Sequence, residues 1–454
     1  MSEHLSRRVK VLYGMGDIGF SLTLTIIGAY FAIFLTDVVG VSPSVAAIAI
    51  FIGRSWDYVN DPLIGHFSDR ARTRWGRRRP FLLFGALPFA LAYLLMWMRP
   101  PFESHLALAI YYASVYVIFD AAATFVYMPY FALTPELTSN YDERTALTSY
   151  RMFFSILGSL IAFTVPLAII GTFRPENAPR VLLMGTIFGF ASAAPLLIVF
   201  FSTRERAEYL ELEQPKLRDS LRAAVKNRPF VFGAIIFLIT WVSIDILQAT
   251  LLYFIKYVLQ REEQSDAIMA AIFITAILAL PLWEWAARRL NKRLAYGVGV
   301  AFWAVVQLIL ISINASVPLQ MIFFLCVLAG IGVSAAHVLP WSILPDAIEW
   351  DEYQTGTRHE GMFYSLVTLA QKIASSIAIP MALLILDAAG YTPNAVRQPA
   401  SALLGIRLVI GPLPALLLTI GIIFAIACPL NRQTHARIVQ ELEERRLAHK
   451  QESI

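Results

Sequence analysis

Charge is scarce in this chain. Asp, Glu, Lys and Arg make up 15% of its 454 residues, whereas hydrophobic side chains make up 57%, a balance that excludes a soluble domain of this size and leaves a polytopic membrane protein. Cysteine is nearly missing: Cys326 and Cys428 both fall within apolar runs, so there is neither a disulfide framework nor a metal-ligand spacing. Long polar stretches are rare as well, the one long polar linker being TRERAEYLELEQPKLRDSLRAAVKNRP, residues 203–229. The basic start MSEHLSRRVK leads into an apolar run longer than a signal-peptide core, with no small-residue cleavage site, so a retained start is expected. The net charge of +5 does not speak for nucleic acid, because the basic residues stand in short segments between apolar runs. Neither a nucleic-acid partner nor a cofactor is expected.

What the chain has is apolar segments, twelve of them long enough to cross a bilayer at about 20 residues each. They lie near 12–36, 44–67, 81–98, 106–134, 151–172 and 181–202, then near 230–257, 266–287, 294–312, 319–344, 362–389 and 406–429. The expected organisation is an all-α polytopic membrane protein: an N-terminal six-helix bundle (1–202), a cytoplasmic linker (203–229), a C-terminal six-helix bundle (230–430) and a charged tail (431–454). The linker's LRDSLRAAVKN has helical periodicity and is expected along the membrane surface. Lys and Arg concentrate in both termini, the linker and alternate loops, which places both termini in the cytoplasm. The halves repeat weakly. PYFALTPEL (129–137) followed by YDE answers PWSILPDAI (340–348) followed by WDE, and the basic loop at 70–79 has a shorter counterpart in ARRLNKR (287–293). Two pseudosymmetric bundles of this kind are the architecture of alternating-access carriers.

The second apolar segment carries two acids, Asp57 and Asp61, one helical turn apart and therefore on one face. An ionised carboxylate there costs several kcal/mol without compensation. Pro62 follows directly and withdraws the usual partner of the Tyr58 carbonyl. Two carboxylates and a freed carbonyl suit a proton or a small cation such as sodium; Arg54, three residues earlier, offers a buried ion pair instead. On the fourth segment Asp120, Thr124 and Tyr127 share a stripe at i, i+4 and i+7, and on the seventh Trp241, Asp245 and Gln248 repeat that spacing. An aromatic platform beside polar groups is what a sugar site needs, though either stripe could equally cement helices. His337 with Trp341, and Trp303 with Gln307, form weaker pairs of the same type. Asp69, Arg70, Glu143, Arg144, Asp351 and Glu352 are expected to make and break ion pairs at a cytoplasmic gate. Asp17, in GMGD, matches the G-x-G-D of intramembrane aspartyl proteases. The Tyr-Asp partner such an enzyme needs occurs here only as Tyr141-Asp142, in an expected cytoplasmic loop, so no enzyme is expected and Asp17 is read as support for the first helix.

The string GHFSDRARTRWGRRRP resembles the conserved loop of the major facilitator superfamily. RSWDYVNDPLIG resembles the signature of its glycoside–pentoside–hexuronide:cation symporter family, and TDVVGVSP (36–43), MPYFALTPELTSNYDERT (128–145) and LPDAIEWDEYQTGTRHEGMFYS (344–365) extend the resemblance along nearly the whole chain. The resemblance implies the facilitator fold and cation-coupled symport of a glycoside, oligosaccharide or sugar acid. It implies a cation site at Asp57, Asp61 and Thr124, a sugar-side arginine at Arg151 and a coupling lysine at Lys372. Lys372 also stands mid-segment, where a lysine needs an anionic partner; Arg151 opens its segment and could instead snorkel to the interface. Where the melibiose-permease type has sugar-binding aspartates, this chain has Ser21 and Tyr127, with Asp120 as one compensation. That departure admits a lysolipid or other amphiphile as the cargo. A monomer in a plasma or bacterial inner membrane, in contact with lipid, cargo and coupling ion, is expected.

Overall fold

The structure is a computed structural model that describes residues 5–138, 141–205, 224, 227–355, 360–429, 437–438, 440–442 and 444. Among the described residues the chain is helical apart from loops and one isolated bridge, Thr73 to Gly76. Eleven helices among these residues are long and apolar enough to cross a membrane. The remaining stretch, expected near 44–67, is two shorter helices, α3 (Pro43–Ser55) and α4 (Asp57–Arg70), joined at Trp56. Phe67, Phe201, Leu278 and Ile426 are each more than 70% exposed, while Asp37, Ser68, Thr240 and Ser376 are fully buried. Apolar outside and polar inside is the distribution a lipid solvent selects.

Contacts divide the chain into two compact units that do not follow the sequence halves. The first comprises Met1–Leu212, Gln248–Ala270 and Ser376–Ile406; the second comprises Glu213–Leu247, Ala271–Ser375 and Arg407–Ile454. In the first, α1 (Arg7–Gly14) and α2 (Gly16–Ile26) pack on α7 (Tyr141–Ile170), α5 (Arg79–Met96) packs on α6 (His105–Leu137) and α8 (Ala178–Ser202), and α3 packs on α6. Two π turns, Ile27–Phe31 and Phe34–Val39, continue α2. They stop at Gly40, whose φ of 92° is left-handed and open to glycine at little cost. Pro43 then opens α3 under a cap from the Ser42 hydroxyl. In the second unit, α9 (Arg228–Tyr253) leads to α10 (Ser265–Leu290), and α11 (Lys292–Ile309) lies against α12 (Leu319–Thr355) and α15 (Pro412–Ala427). The helices α13 (Glu360–Ala388) and α14 (Ala400–Ile410) complete the chain's long elements. Helices α9, α10, α13 and α14 are each divided between the units, at Gln248, Ala271, Ser376 and Arg407.

The weak sequence repeat has a physical counterpart within each unit. In the first, Arg77 and Arg78 pair with Glu136, the acid of the TPEL step, with Arg78 Nε at 3.2 Å. In the second, Lys292 pairs with Asp346, the acid of the LPDAI step. Arg79 donates to the Phe200 carbonyl at the end of α8 at 2.7 Å, and Arg293 donates to the Cys428 carbonyl just beyond α15. Glu205 adds a further feature to the first unit. Its carboxylate accepts the backbone N–H groups of Arg77, Arg78 and Arg79, satisfying donors at the start of α5 and placing negative charge at a helix N-terminus.

Burial ranks the two acid–base pairs. The Glu136 and Arg78 side chains are 9% and 8% exposed, whereas Lys292 is 38% exposed. Glu136→Gln is expected to cost on the order of 3 kcal/mol and to lower the thermal midpoint clearly, while Asp346→Asn costs about 1 kcal/mol or less. Thermal unfolding of the two purified variants checks this order; equal losses would contradict it.

Candidate cation and cargo site

Helix α3 approaches α6 where Gly53 faces Tyr116. A Cβ at Gly53 would stand 2.3 Å from the Tyr116 ring, so the contact needs glycine. That approach sets Arg54 beside Tyr116, whose hydroxyl accepts from Arg54 Nε at 3.1 Å. One residue past the join at Trp56, Asp57 begins α4, and Asp61 lies a turn later, both half-buried. Thr124 Oγ1, from α6, donates to Asp61 Oδ1 at 3.3 Å. The Asn60 amide donates to the Asp120 carbonyl at 3.3 Å, which holds α4 against α6 at the same level. Tyr58 and Ser376 share a hydrogen bond between their hydroxyls. Asp57, Asp120 and Arg54 all act electrostatically on the Tyr116 hydroxyl, so these groups form one polar locality. Pro62 lies inside α4, which continues to Arg70; the break in the stretch stands at Trp56, where the backbone makes an i→i−3 bond to Gly53 at 3.3 Å. Even so, proline offers no N–H to the Tyr58 carbonyl. Carboxylate, hydroxyl and carbonyl oxygens are the donor set that hard cations take.

Two residues expected at the cargo have other engagements. Arg151 Nε sits 2.5 Å from Asp17 Oδ2, which also accepts from the Tyr130 hydroxyl at 3.2 Å, and its guanidinium lies 4.7 Å from the Phe131 ring centroid. Asp17 is 2% exposed, so the arginine is the counter-ion that permits a buried carboxylate there. Asp17 thus supports the first helix by charge pairing. Tyr127, expected on an open stripe, is 3% exposed and packs edge-on against Phe20 and Phe89. The Ser21 hydroxyl is bonded to that of Ser155 at 2.6 Å.

In the second unit Trp241 stands edge-on to His337, ring centroids 5.4 Å apart, and beside Phe237; Phe237 meets Trp341 at 4.7 Å, and Trp341 stacks on Tyr364. His337 Nδ1 faces the Val333 carbonyl at 3.0 Å, so that nitrogen carries the proton. Asp245 accepts from the Ser375 hydroxyl. Lys372 is half-buried in the middle of α13. Gln248 belongs to the first unit, where its amide oxygen lies over Gly28. Trp303 and Gln307 are both buried to 1% exposure and belong to the core of the second unit. Of the expected gate residues, Glu143 pairs with Lys10 at 2.8 Å and Arg144 donates to the Thr138 carbonyl at 2.8 Å. Arg70 is exposed, Asp351 buried and Glu352 half-buried; the Asp69 side chain lies outside the described residues.

The model of the family described as MFS/sugar transport protein matches residues 12–432. The chain belongs to this family. A symporter of Synechocystis sp. described as uncharacterized is 32% identical to this facilitator over 98% of each chain. The sodium-dependent lysophosphatidylcholine symporter 1-A of Danio rerio is 31% identical over 93% of this chain and 86% of its own. Among solved structures, the nucleoside transporter NupG has a TM-score of 0.66 at 12% identity, covering 92% of this chain and 98% of its own. The inward-open xylose transporter XylE of E. coli has a TM-score of 0.61 at 15% identity, covering 90% and 94%. The chain is thus an integral multi-pass membrane protein with the facilitator fold, and these two relatives in sequence are described as symporters. Sequence reasoning missed Asp37 and Lys256, which pair at 2.6 Å in the first unit of this facilitator. The available signal was a lysine inside the apolar run LLYFIKYVL.

The Asp17–Arg151 pair gives a double-mutant test. Asp17→Asn and Arg151→Gln are each expected to lower the thermal midpoint, with the double variant losing less than the sum. A cargo-contacting Arg151 would instead raise the KM for uptake at unchanged thermal stability.

Proposed function

We propose that this facilitator couples sodium entry to uptake of a zwitterionic amphiphile of the lysophospholipid type. The observation carrying the coupling is the meeting of Asp61 with Thr124 one turn from Asp57, beside the carbonyl that Pro62 leaves open. Sodium held by these oxygens neutralises acids that are otherwise expensive among apolar helices. Only the empty or doubly loaded carrier then changes state readily, because a half-loaded one leaves charge uncompensated. The sodium-dependent relatives support the ion. They support the cargo as well, and so do the engagements of three candidate sugar-side groups in the first unit: Ser21 is bonded to Ser155, Tyr127 is covered by aromatics and Arg151 is paired with Asp17. The wall of Trp241, Trp341 and Tyr364 with Asp245 close in sequence suits an ammonium headgroup through cation–π and charge attraction.

A second reading, symport of a glycoside, oligosaccharide or sugar acid, is favoured by that same wall, since an aromatic face beside a carboxylate also receives a sugar ring. In both readings the protein works as a monomer in a plasma or bacterial inner membrane with both termini cytoplasmic. It needs no cofactor beyond the coupling ion.

Thermal stability of the purified protein against lysophosphatidylcholine, methyl glycosides and uronic acids, with and without sodium, separates the readings. Lysophosphatidylcholine is expected to raise the midpoint, more so with sodium; stabilisation by glycosides alone would transfer the cargo to the second reading. Asp57→Asn and Asp61→Asn are each expected to abolish sodium-driven accumulation in cells. Thr124→Ala, losing one oxygen, weakens the apparent sodium affinity about fivefold, roughly one hydrogen bond's worth. Wild-type sodium dependence in both Asn variants would refute the site.

A further inference from the structure

In each unit a tryptophan with an arginine over its ring stands at one end of a membrane helix. In the first, the Arg74 guanidinium lies 4.2 Å from the Trp75 ring centroid, and Trp75 meets Phe84 edge-on at 5.8 Å. Phe84 stands five residues beyond Arg79, the start of α5. The indole therefore reaches about 7 Å inside the helix end, at a rise of about 1.5 Å per residue. From there an exposed apolar stripe, Phe84, Leu87 and Leu91, runs along α5. In the second unit exposed Leu278, Leu282 and Trp285 form such a stripe on α10, and Arg289 lies 5.6 Å from the Trp285 centroid. Trp285 stands five residues before Leu290, the end of α10, at the same depth. An indole there, with lipid-facing aliphatics inside it and a guanidinium outside, suits the boundary between acyl chains and headgroups.

The two pairs differ in charge. Beside Trp285, Glu284 pairs with Arg288. Around Trp75, Glu205 is engaged by the backbone N–H groups of Arg77, Arg78 and Arg79. Arg72, Arg74 and Arg204 are exposed, and among the described residues no carboxylate pairs with any of them. The Arg204 charge acts on Arg79, whose guanidinium donates to the Trp75 carbonyl at 3.2 Å, so these basic groups share one locality. The turn that presents them is fixed. Thr73 Oγ1 donates to the Gly76 carbonyl at 2.8 Å and accepts from the Trp75 N–H at 3.1 Å, while Gly76 holds a φ of 106°.

We propose that the Arg74–Trp75 turn, with Arg72 and Arg204, binds the phosphodiester of an anionic phospholipid of the surrounding bilayer, phosphatidylglycerol in kind, whose acyl chains lie along Phe84, Leu87 and Leu91. A guanidinium takes phosphate oxygens through charge-assisted, bidentate hydrogen bonds. A zwitterionic headgroup would set its own ammonium against the arginines, and a soluble phosphate would gain nothing from the apolar stripe. The fixed turn limits the ordering that binding must impose. In the second unit the Glu284–Arg288 pair leaves less net charge beside Trp285, so that counterpart holds anionic lipid more weakly. The lipid is distinct from the cargo: it is anionic, and it lies on the outer face of α5.

Native mass spectrometry of the purified, delipidated protein, titrated with dioleoyl phosphatidylglycerol or dioleoyl phosphatidylcholine, measures the affinity of the first lipid bound. The wild-type protein is expected to hold phosphatidylglycerol about tenfold more tightly. Arg74→Gln and Arg204→Gln each weaken that binding about fivefold, and together about 25-fold, with phosphatidylcholine unaffected. Both side chains are exposed, so the thermal midpoint in lipid-free detergent stays at the wild-type value; if Arg204→Gln does not fold, Arg74→Gln alone carries the test. Arg289→Gln changes the affinity by less than about twofold. Equal affinity for the two lipids, or unchanged phosphatidylglycerol binding in the glutamine variants, would overturn the site. A loss in Arg289→Gln as large as in Arg74→Gln would overturn it too, in favour of general attraction between basic loops and anionic lipid. Displacement of the lipid by glycerol 1-phosphate at equal concentration would overturn the lipid as occupant and leave a site for soluble phosphates.

Discussion

An ionised side chain among apolar helices has no water to turn to, and the organisation of this protein follows from how each such charge is answered. Asp17 is answered by Arg151, Asp37 by Lys256 and two phenols, Glu136 by Arg77 and Arg78, and Asp346 by Lys292. Each answer fixes which helices lie together. The Asp57–Asp61 pair differs in kind, because its described neighbours include a hydroxyl and a proline-freed carbonyl, groups that a mobile ion uses as readily as a protein does. In the proposed cycle that locality exchanges its counter-charge with solution.

The repeated contacts tie this charge economy to the fold's duplication. A basic residue meets the acid of a proline–acid step, and a neighbouring arginine holds a carbonyl, at the end of α8 in the first unit and just beyond α15 in the second. Sequence divergence left the chemistry and altered the residues: glutamate in one unit, aspartate in the other, three arginines against one lysine and one arginine. These contacts hold each unit's loop in place, whereas the cation locality and the aromatic wall occur once each.

Much of the fold was legible because its signals are local. Apolar length announces a membrane helix, and Gly40 with Ser42 and Pro43 marks a stop and a start in four consecutive residues. Asp57 and Asp61 stand out in the sequence because two acids in an apolar run carry an evident cost. Tyr127 and Arg151 show what helical spacing leaves out: it says which side chains share a stripe but not what covers them, and here Phe20, Phe89 and Asp17 do. The Asp37 cluster escaped notice because its partners are remote, Lys256 lying 219 residues away and Tyr391 354. No spacing rule links such positions.

The most direct measurement of the account is reverse coupling in proteoliposomes holding the purified protein. Equal sodium is set on both sides, a gradient of the cargo found by thermal stabilisation is imposed, and sodium movement is followed. Sodium is predicted to move with the cargo, building its own gradient, and to stay still when Asp61 is replaced by asparagine. Cargo flow with no accompanying sodium in the wild-type protein would contradict the claim that the Asp57–Asp61 locality carries the coupling ion.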